Sequence, residues 1–208
     1  MGYYTRVLSK YEDFPSFAEL AEAVQADHPS FRLSIEEGSE DEWETILLSG
    51  DGEIEVAVLE RHPVVDGSVG QDEIAEFIDE TGDCKPDEGV EWLHGFLAEV
   101  KTVYAFQHLV GSETEEGLAA LHAVRTFLWQ RGESIIQADM EGFTNEDGYH
   151  IVWQFSDTVS GAWNMAVLQD GTWHHFQMDL GDPDQREAFF RNEVPPDAAQ
   201  VQLSRGRE

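Results

Sequence analysis

The chain has 208 residues, 41% hydrophobic and 11% aromatic, enough apolar material to bury a core in one large domain or two small ones. Its 43 Asp and Glu stand against 12 Lys and Arg, a formal net charge of −31; such a surface repels nucleic acid and anionic membrane, because phosphate binding needs Lys and Arg to displace counterions. No run approaches the roughly 18 apolar residues of a membrane helix, the first residues lack the apolar core of a secretory leader, and the single cysteine, Cys84, excludes an internal disulfide. The simplest reading is a cytoplasmic protein.

The acids are unevenly spread. Up to residue 100 there are 26 acids and 5 bases, a net −21, and beyond it 17 acids and 7 bases, a net −10. Two explanations stand side by side. A carboxylate-rich, lysine-poor surface stays solvated in a salty cytoplasm; alternatively, a negative face meets a basic protein partner.

In chain order, Tyr3–Leu8 reads as a strand. Pro15-Ser16-Phe-Ala-Glu19 is a capping box opening a helix with Phe17, Leu20 and Val24 on one face, ended by His28-Pro29. Strand-like runs follow at Phe31–Glu36, Trp43–Leu48 and Glu53–Leu59. Helices are expected from about Gln71 and from Asp87. Beyond residue 100, Lys101–His108 reads as a strand, and Thr114 caps a helix with Leu118, Leu121, Val124 and Leu128 inward. Further strands are expected at Glu133–Ala138, Tyr149–Phe155, Ala162–Leu168 and Thr172–Met178, and Asp182-Pro183 starts a last helix.

The fold class is therefore α+β: two similar strand–helix–strands–helix halves, with mainly antiparallel sheets backed by helices. The boundaries are 1–100 for a strongly acidic first half, 101–197 for the second half and 198–208 for a loose tail. Short matches suggest an internal duplication, with Phe31–Glu36 answering Glu133–Ala138 and Ala57-Val-Leu59 answering Ala166-Val-Leu168.

Motifs for chemistry are sparse. Asn145-Glu-Asp-Gly148 looks like part of a calcium loop, but setting Gly148 at position 6 puts Phe143 at position 1 and Gln154 at position 12, where the essential ligands belong. The stretch reads as a turn. His174-His175 would point to opposite faces of a strand and so not converge on one zinc ion. Cys84 has no identifiable base beside it. No cofactor or metal is expected, and catalysis has no motif to support it.

One surface remains. From Tyr149 to Gln169 the only acid is Asp157, and from Gly171 to Met178 there is none. An Asp170-Gly171 hairpin pairs Leu168 with Trp173, Ala166 with His175 and Asn164 with Gln177. One face, Trp163, Met165, Val167, Phe176 and Met178 continued by Tyr149, Ile151, Trp153 and Phe155, is core. The other shows His150, Gln154, Asn164, Trp173, His175 and Gln177, polar but uncharged. These six are the candidate ligand-binding residues; the same face would equally suit burial against the other half or a homodimer contact. The leading functional expectation is a non-catalytic acidic binding protein, of inhibitor or immunity type, recognising a basic protein. The alternative is a small-molecule binder or enzyme using the uncharged face, the acidity then being salt adaptation.

Overall fold

The structure, a computed structural model, describes residues 2–201. It is an α+β protein, and the strand pairs described below are all antiparallel. Two compact units are each built from two chain segments: the chain up to Ile74 with Glu99–Asp139, and Ala75–Ala98 with the chain from Met140 onward.

In the first unit, strands β1 (Tyr4–Ser9), β2 (Arg32–Gly38), β3 (Trp43–Ser49), β4 (Glu55–Pro63), β5 (Thr102–His108) and β6 (Ser134–Ala138) lie in the order β2-β3-β4-β5-β1-β6. Helices α1 (Phe17–Gln25) and α4 (Glu115–Gln130) pack together, and α4 rests on β1, β4 and β6. The capping box forms as expected: Ser16 Oγ accepts from Glu19 N at 3.4 Å and the Glu19 carboxylate accepts from Ser16 N at 2.8 Å. Thr114 Oγ1 caps α4 by accepting from Gly117 N at 3.1 Å. Between helices and sheet lies one apolar cluster in which Leu20, Val24, Trp43, Ile46, Phe106, Leu121 and Leu128 are buried. Burial satisfies the one polar atom of Trp43, since Nε1 donates to Pro15 O at 2.8 Å. Helix α2 (Val69–Thr81) begins in this unit.

In the second unit, β8 (Ala162–Gln169) and β9 (Thr172–Asp179) form a hairpin with the expected register, Leu168 opposite Trp173, Ala166 opposite His175 and Asn164 opposite Gln177. The turn residues explain it: Asp170 and Gly171 take φ of 49° and 74°, the left-handed values of a two-residue hairpin turn. One face buries Met165, Val167, Phe176 and Met178 with Leu180 and with Phe189 of α5 (Pro183–Phe190). On the opposite face α3 (Asp87–Leu97) packs against β8. Gly89 of α3 is required by close approach, because a Cβ there would lie 2.4 Å from Ile151 O. A two-residue strand, β7 (Gly142–Phe143), completes the elements before β8.

Three expectations need correction. Tyr149–Phe155 forms no strand: only His150 makes β-bridges, to Thr144 and Met165. The neighbouring amides go elsewhere, Ile151 N to Phe143 O at 3.0 Å and Trp153 N to Lys85 O at 2.8 Å. The expected duplication is not confirmed, since the matched strands hold unlike positions. Among the described residues β2 pairs with β3 alone, whereas β6 pairs with β1; β4 lies between β3 and β5, whereas β8 ends its sheet. The expected loose tail opens with a short strand, β10 (Ala199–Gln200), paired to β9; residues 202–208 lie outside the described residues. Among the described residues no helix is long and apolar enough to cross a membrane.

Candidate functional site

The hairpin places four of the six expected residues side by side. Asn164 and Gln177 are exposed opposite neighbours, joined by a 3.5 Å bond from Gln177 Nε2 to Asn164 Oδ1. Trp173 and His175 share their face but are partly buried. Trp173 meets Trp92 of α3 edge to face, with ring centroids 5.1 Å apart, so one end of this face is already covered.

His150 and Gln154 do not join them. The His150 ring lies 5.1 Å from Phe155 and 5.3 Å from Trp163, among the aromatic residues of the core side. It is Tyr149, expected in the core, whose ring packs 4.5 Å from His175. Gln154 lies beside Gly142, and its buried Oε1 has no hydrogen-bond partner among the described residues. His150 Nδ1 is also buried without a partner among the described residues, and burial pushes this histidine down to about 4 against a weaker effect of a Glu141 backbone hydrogen bond.

The Asn145–Tyr149 stretch is a turn built around one amide. Asn145 is fully buried, and its Oδ1 accepts from Asp147 N at 3.1 Å and Tyr149 N at 3.0 Å. Gly148 N closes the loop onto Asn145 O at 3.0 Å, with Gly148 at φ 82°. Asn145 Nδ2 reaches His175 Nε2 at 3.1 Å, and Asp147 Oδ2 stands 3.3 Å from the same nitrogen. Burial lowers the His175 pKa, Asp147 raises it and His174 lowers it further.

A second constellation, in the first unit, had no signal in the sequence because its members are far apart in the chain. Arg6 on β1 donates Nε to Glu73 Oε1 at 3.2 Å and Nη1 to Gln137 Oε1 at 2.7 Å and Asp139 Oδ1 at 2.8 Å. Gln137 can reach because it stands directly opposite Arg6 in the β1–β6 register. The other oxygen of Glu73, Oε2, lies 2.6 Å from His62 Nδ1. That hydrogen bond raises the His62 pKa more than burial lowers it; the charges of Glu73 and Glu60 add to the rise, and Arg6 opposes it. His62, Arg61 and Glu44 are among the residues lining a cavity of about 350 Å³.

Arg61 is held on two sides. Nε donates to Trp43 O at 2.8 Å, and the guanidinium carbon lies 3.9 Å from the Phe14 ring centroid. The described residues supply it no ion pair. Cys84, by contrast, has its thiol pKa raised by burial and by Asp83 and Glu80, the opposite of an activated nucleophile. Among the described residues no group of three or more His, Cys, Asp or Glu is placed to hold a metal ion. Comparison with family models, with curated proteins and with solved structures yields no match.

Proposed function

We propose that the protein is a non-catalytic acidic binding protein that takes an extended, basic segment of a partner protein along the open edge of β2. The observation that carries this reading is a coincidence of geometry and charge. Among the described residues β2 has a strand neighbour on one side only, and Glu36, Glu37, Glu40, Asp41, Glu42 and Glu44 are exposed along and just beyond it. None of these six makes an ion pair among the described residues. An open edge offers main-chain hydrogen bonds to an added strand, and the side chains set which strand is accepted. Two edges of this acid content repel each other, whereas a lysine-rich strand is attracted and steered. A cytoplasmic location accords with this reading.

The alternative, a small-molecule site on the uncharged face of the hairpin, has less support. Trp173 is packed on Trp92 and His175 is engaged by Asn145, so the aromatic and titratable groups of that face are already occupied.

The test compares two synthetic peptides of equal charge, one alternating Lys with Val and one alternating Lys with Gly. The Lys–Val peptide is expected to bind more tightly and to shift the amide resonances of β2. Reversing Glu36 and Glu37 to Lys should abolish that difference. Equal binding of both peptides, or shifts spread evenly over the acidic surface, would reduce the effect to bulk charge and end the proposal.

A further inference from the structure

β2 carries its charges in order. Leu33 packs against the apolar core of the first unit, and Ile35 is half-buried beyond it. Strand alternation sends Arg32, Ser34 and Glu36 to the other face, and Ser34 Oγ donates to Glu36 Oε1 at 3.1 Å, which keeps those two together. The row reads cation, hydroxyl, carboxylate, and Glu37, Glu40, Asp41 and Glu42 extend its negative end. Arg32 differs from the other bases up to residue 100. Arg6, Lys10 and Lys85 are ion-paired, and Arg61 stacks on Phe14. Arg32 is exposed and makes no ion pair among the described residues. The four residues from Arg32 to Glu36 span roughly 13 Å of strand, more than the screening length of about 8 Å in physiological salt, so the two ends act on a ligand separately.

On the reading that β2 takes a partner's strand, we propose that Arg32 fixes the order of charges that is accepted: a base and, four residues later on the same side, a side-chain carboxylate. Antiparallel pairing is the slightly more stable ladder, and it sets the first residues of the segment beside Glu36 and the later ones beside Arg32. A lysine opposite Glu36 and a carboxylate opposite Arg32 then both form cross-strand ion pairs, the second with a guanidinium whose fork matches a carboxylate. The residue midway between them faces the Ser34 hydroxyl. The alternate residues fall beside Leu33 and Ile35, where apolar side chains fit. A segment with its carboxylate first meets Glu36 with like charge, and it can match the charges only in the weaker parallel ladder. The acids alone would accept lysines in either direction; the arginine chooses one.

The experiment uses the full chain and three peptides, acetylated and amidated so that the side chain is the only carboxylate. They are Lys-Val-Lys-Val-Glu-Val, its form with Gln in place of Glu, and the isomer Glu-Val-Lys-Val-Lys-Val, which keeps composition and charge. Arg32→Gln is expected to weaken the first peptide about threefold more than the Gln form, the size of one exposed cross-strand ion pair. The native chain should bind the first peptide more tightly than its isomer, and Arg32→Gln should narrow that gap. Arg32→Lys should keep most of both differences, because the charge remains. Arg32 is exposed, so these variants leave packing intact. Equal effects of Arg32→Gln on the Glu and Gln peptides, or equal binding of the two isomers to the native chain, would overturn the role of Arg32. The edge itself is judged by the Lys–Val and Lys–Gly pair, which carries no carboxylate. A preference that survives there without coupling to Arg32 sinks the role of Arg32 alone, and its loss sinks both.

Discussion

Nδ2 of Asn145 donates to Nε2 of His175 across 3.1 Å, and the direction of that bond is fixed by the turn itself. Because Asn145 Oδ1 is taken by two backbone amides, from Asp147 and Tyr149, the amide can present only its NH₂ to the ring. Neutral His175 accepts it; protonated His175 would set donor against donor. Burial, with a smaller contribution from His174, keeps the pKa below the ordinary histidine value against the charge of Asp147, and the donor-against-donor conflict acts in the same direction as burial.

The first prediction follows from that direction. Asn145→Asp keeps an oxygen for the two backbone amides and turns the NH₂ into a carboxylate oxygen. His175 should then titrate above its ordinary value, where the native residue titrates below it. A proton NMR titration of His175 Cε1–H would show the reversal, and an unchanged titration would refute the hydrogen-bond direction.

A second prediction concerns His150, whose pKa is pushed down to about 4 by burial. A histidine depressed in the folded state contributes stability that is fully present above the unfolded value and is lost as pH falls toward the folded one. Between an ordinary 6.5 and about 4 the unfolded chain takes up the proton first, at a cost to stability of about 3 kcal/mol. His108, also lowered to about 4 by burial, adds a similar slope. Urea unfolding of His150→Phe at pH 7, 5 and 4 should therefore show roughly half the acid loss from these two residues. Identical slopes in variant and native protein would mean that the ring is not buried neutral.

What was legible in the sequence was local. Asp170-Gly171 sets a turn whose backbone twist admits one register, so Asn164 opposite Gln177 could be read from the turn alone. Ser16, Thr114 and Asp182 cap helices through bonds within three residues. Tyr149–Phe155 misled because its alternating aromatics mimic a half-buried strand. The segment is buried, but His150, Ile151 and Trp153 donate to Asn164, Phe143 and Lys85, three separate partners. Such a path has no period to detect. The Arg6–Glu73–His62 chain depends on which strands become neighbours, and hydrophobic pattern does not encode strand order. The first-half strands could thus be recognised singly while their shared sheet with β5 and β6 could not.

A third prediction weighs the Trp173–Trp92 contact. Trp173 is only partly buried, so Trp173→Ala should cost about 2 kcal/mol, less than the roughly 3–5 kcal/mol of a fully buried aromatic. Trp92→Ala should cost a similar amount. In the double variant the losses should fall short of the sum by about 0.5–1.5 kcal/mol, the usual coupling of an edge-to-face pair. Strict additivity in denaturant unfolding would show that the two rings do not stabilise each other.

The last prediction separates the two explanations of the acidity. Screening lengths fall from about 30 Å in 0.01 M salt to about 3 Å in 1 M, so self-repulsion of a chain with net charge −31 should be relieved and the melting temperature should rise with KCl. Two sets of six acids can be exchanged for their amides. One is Glu36, Glu37, Glu40, Asp41, Glu42 and Glu44, and the other is Asp72, Glu76, Asp79, Glu80, Asp83 and Glu88, all exposed. Each variant removes the same charge, so both should flatten the salt dependence of melting to a similar extent. If the acids serve a partner through β2, only the first set should abolish the preference for the Lys–Val peptide. If both sets lower peptide binding equally, the acids act as a uniform coat. A melting temperature that ignores salt in the native protein would remove salt adaptation as the reason for the charge, since a surface selected to work in brine must gain stability from it.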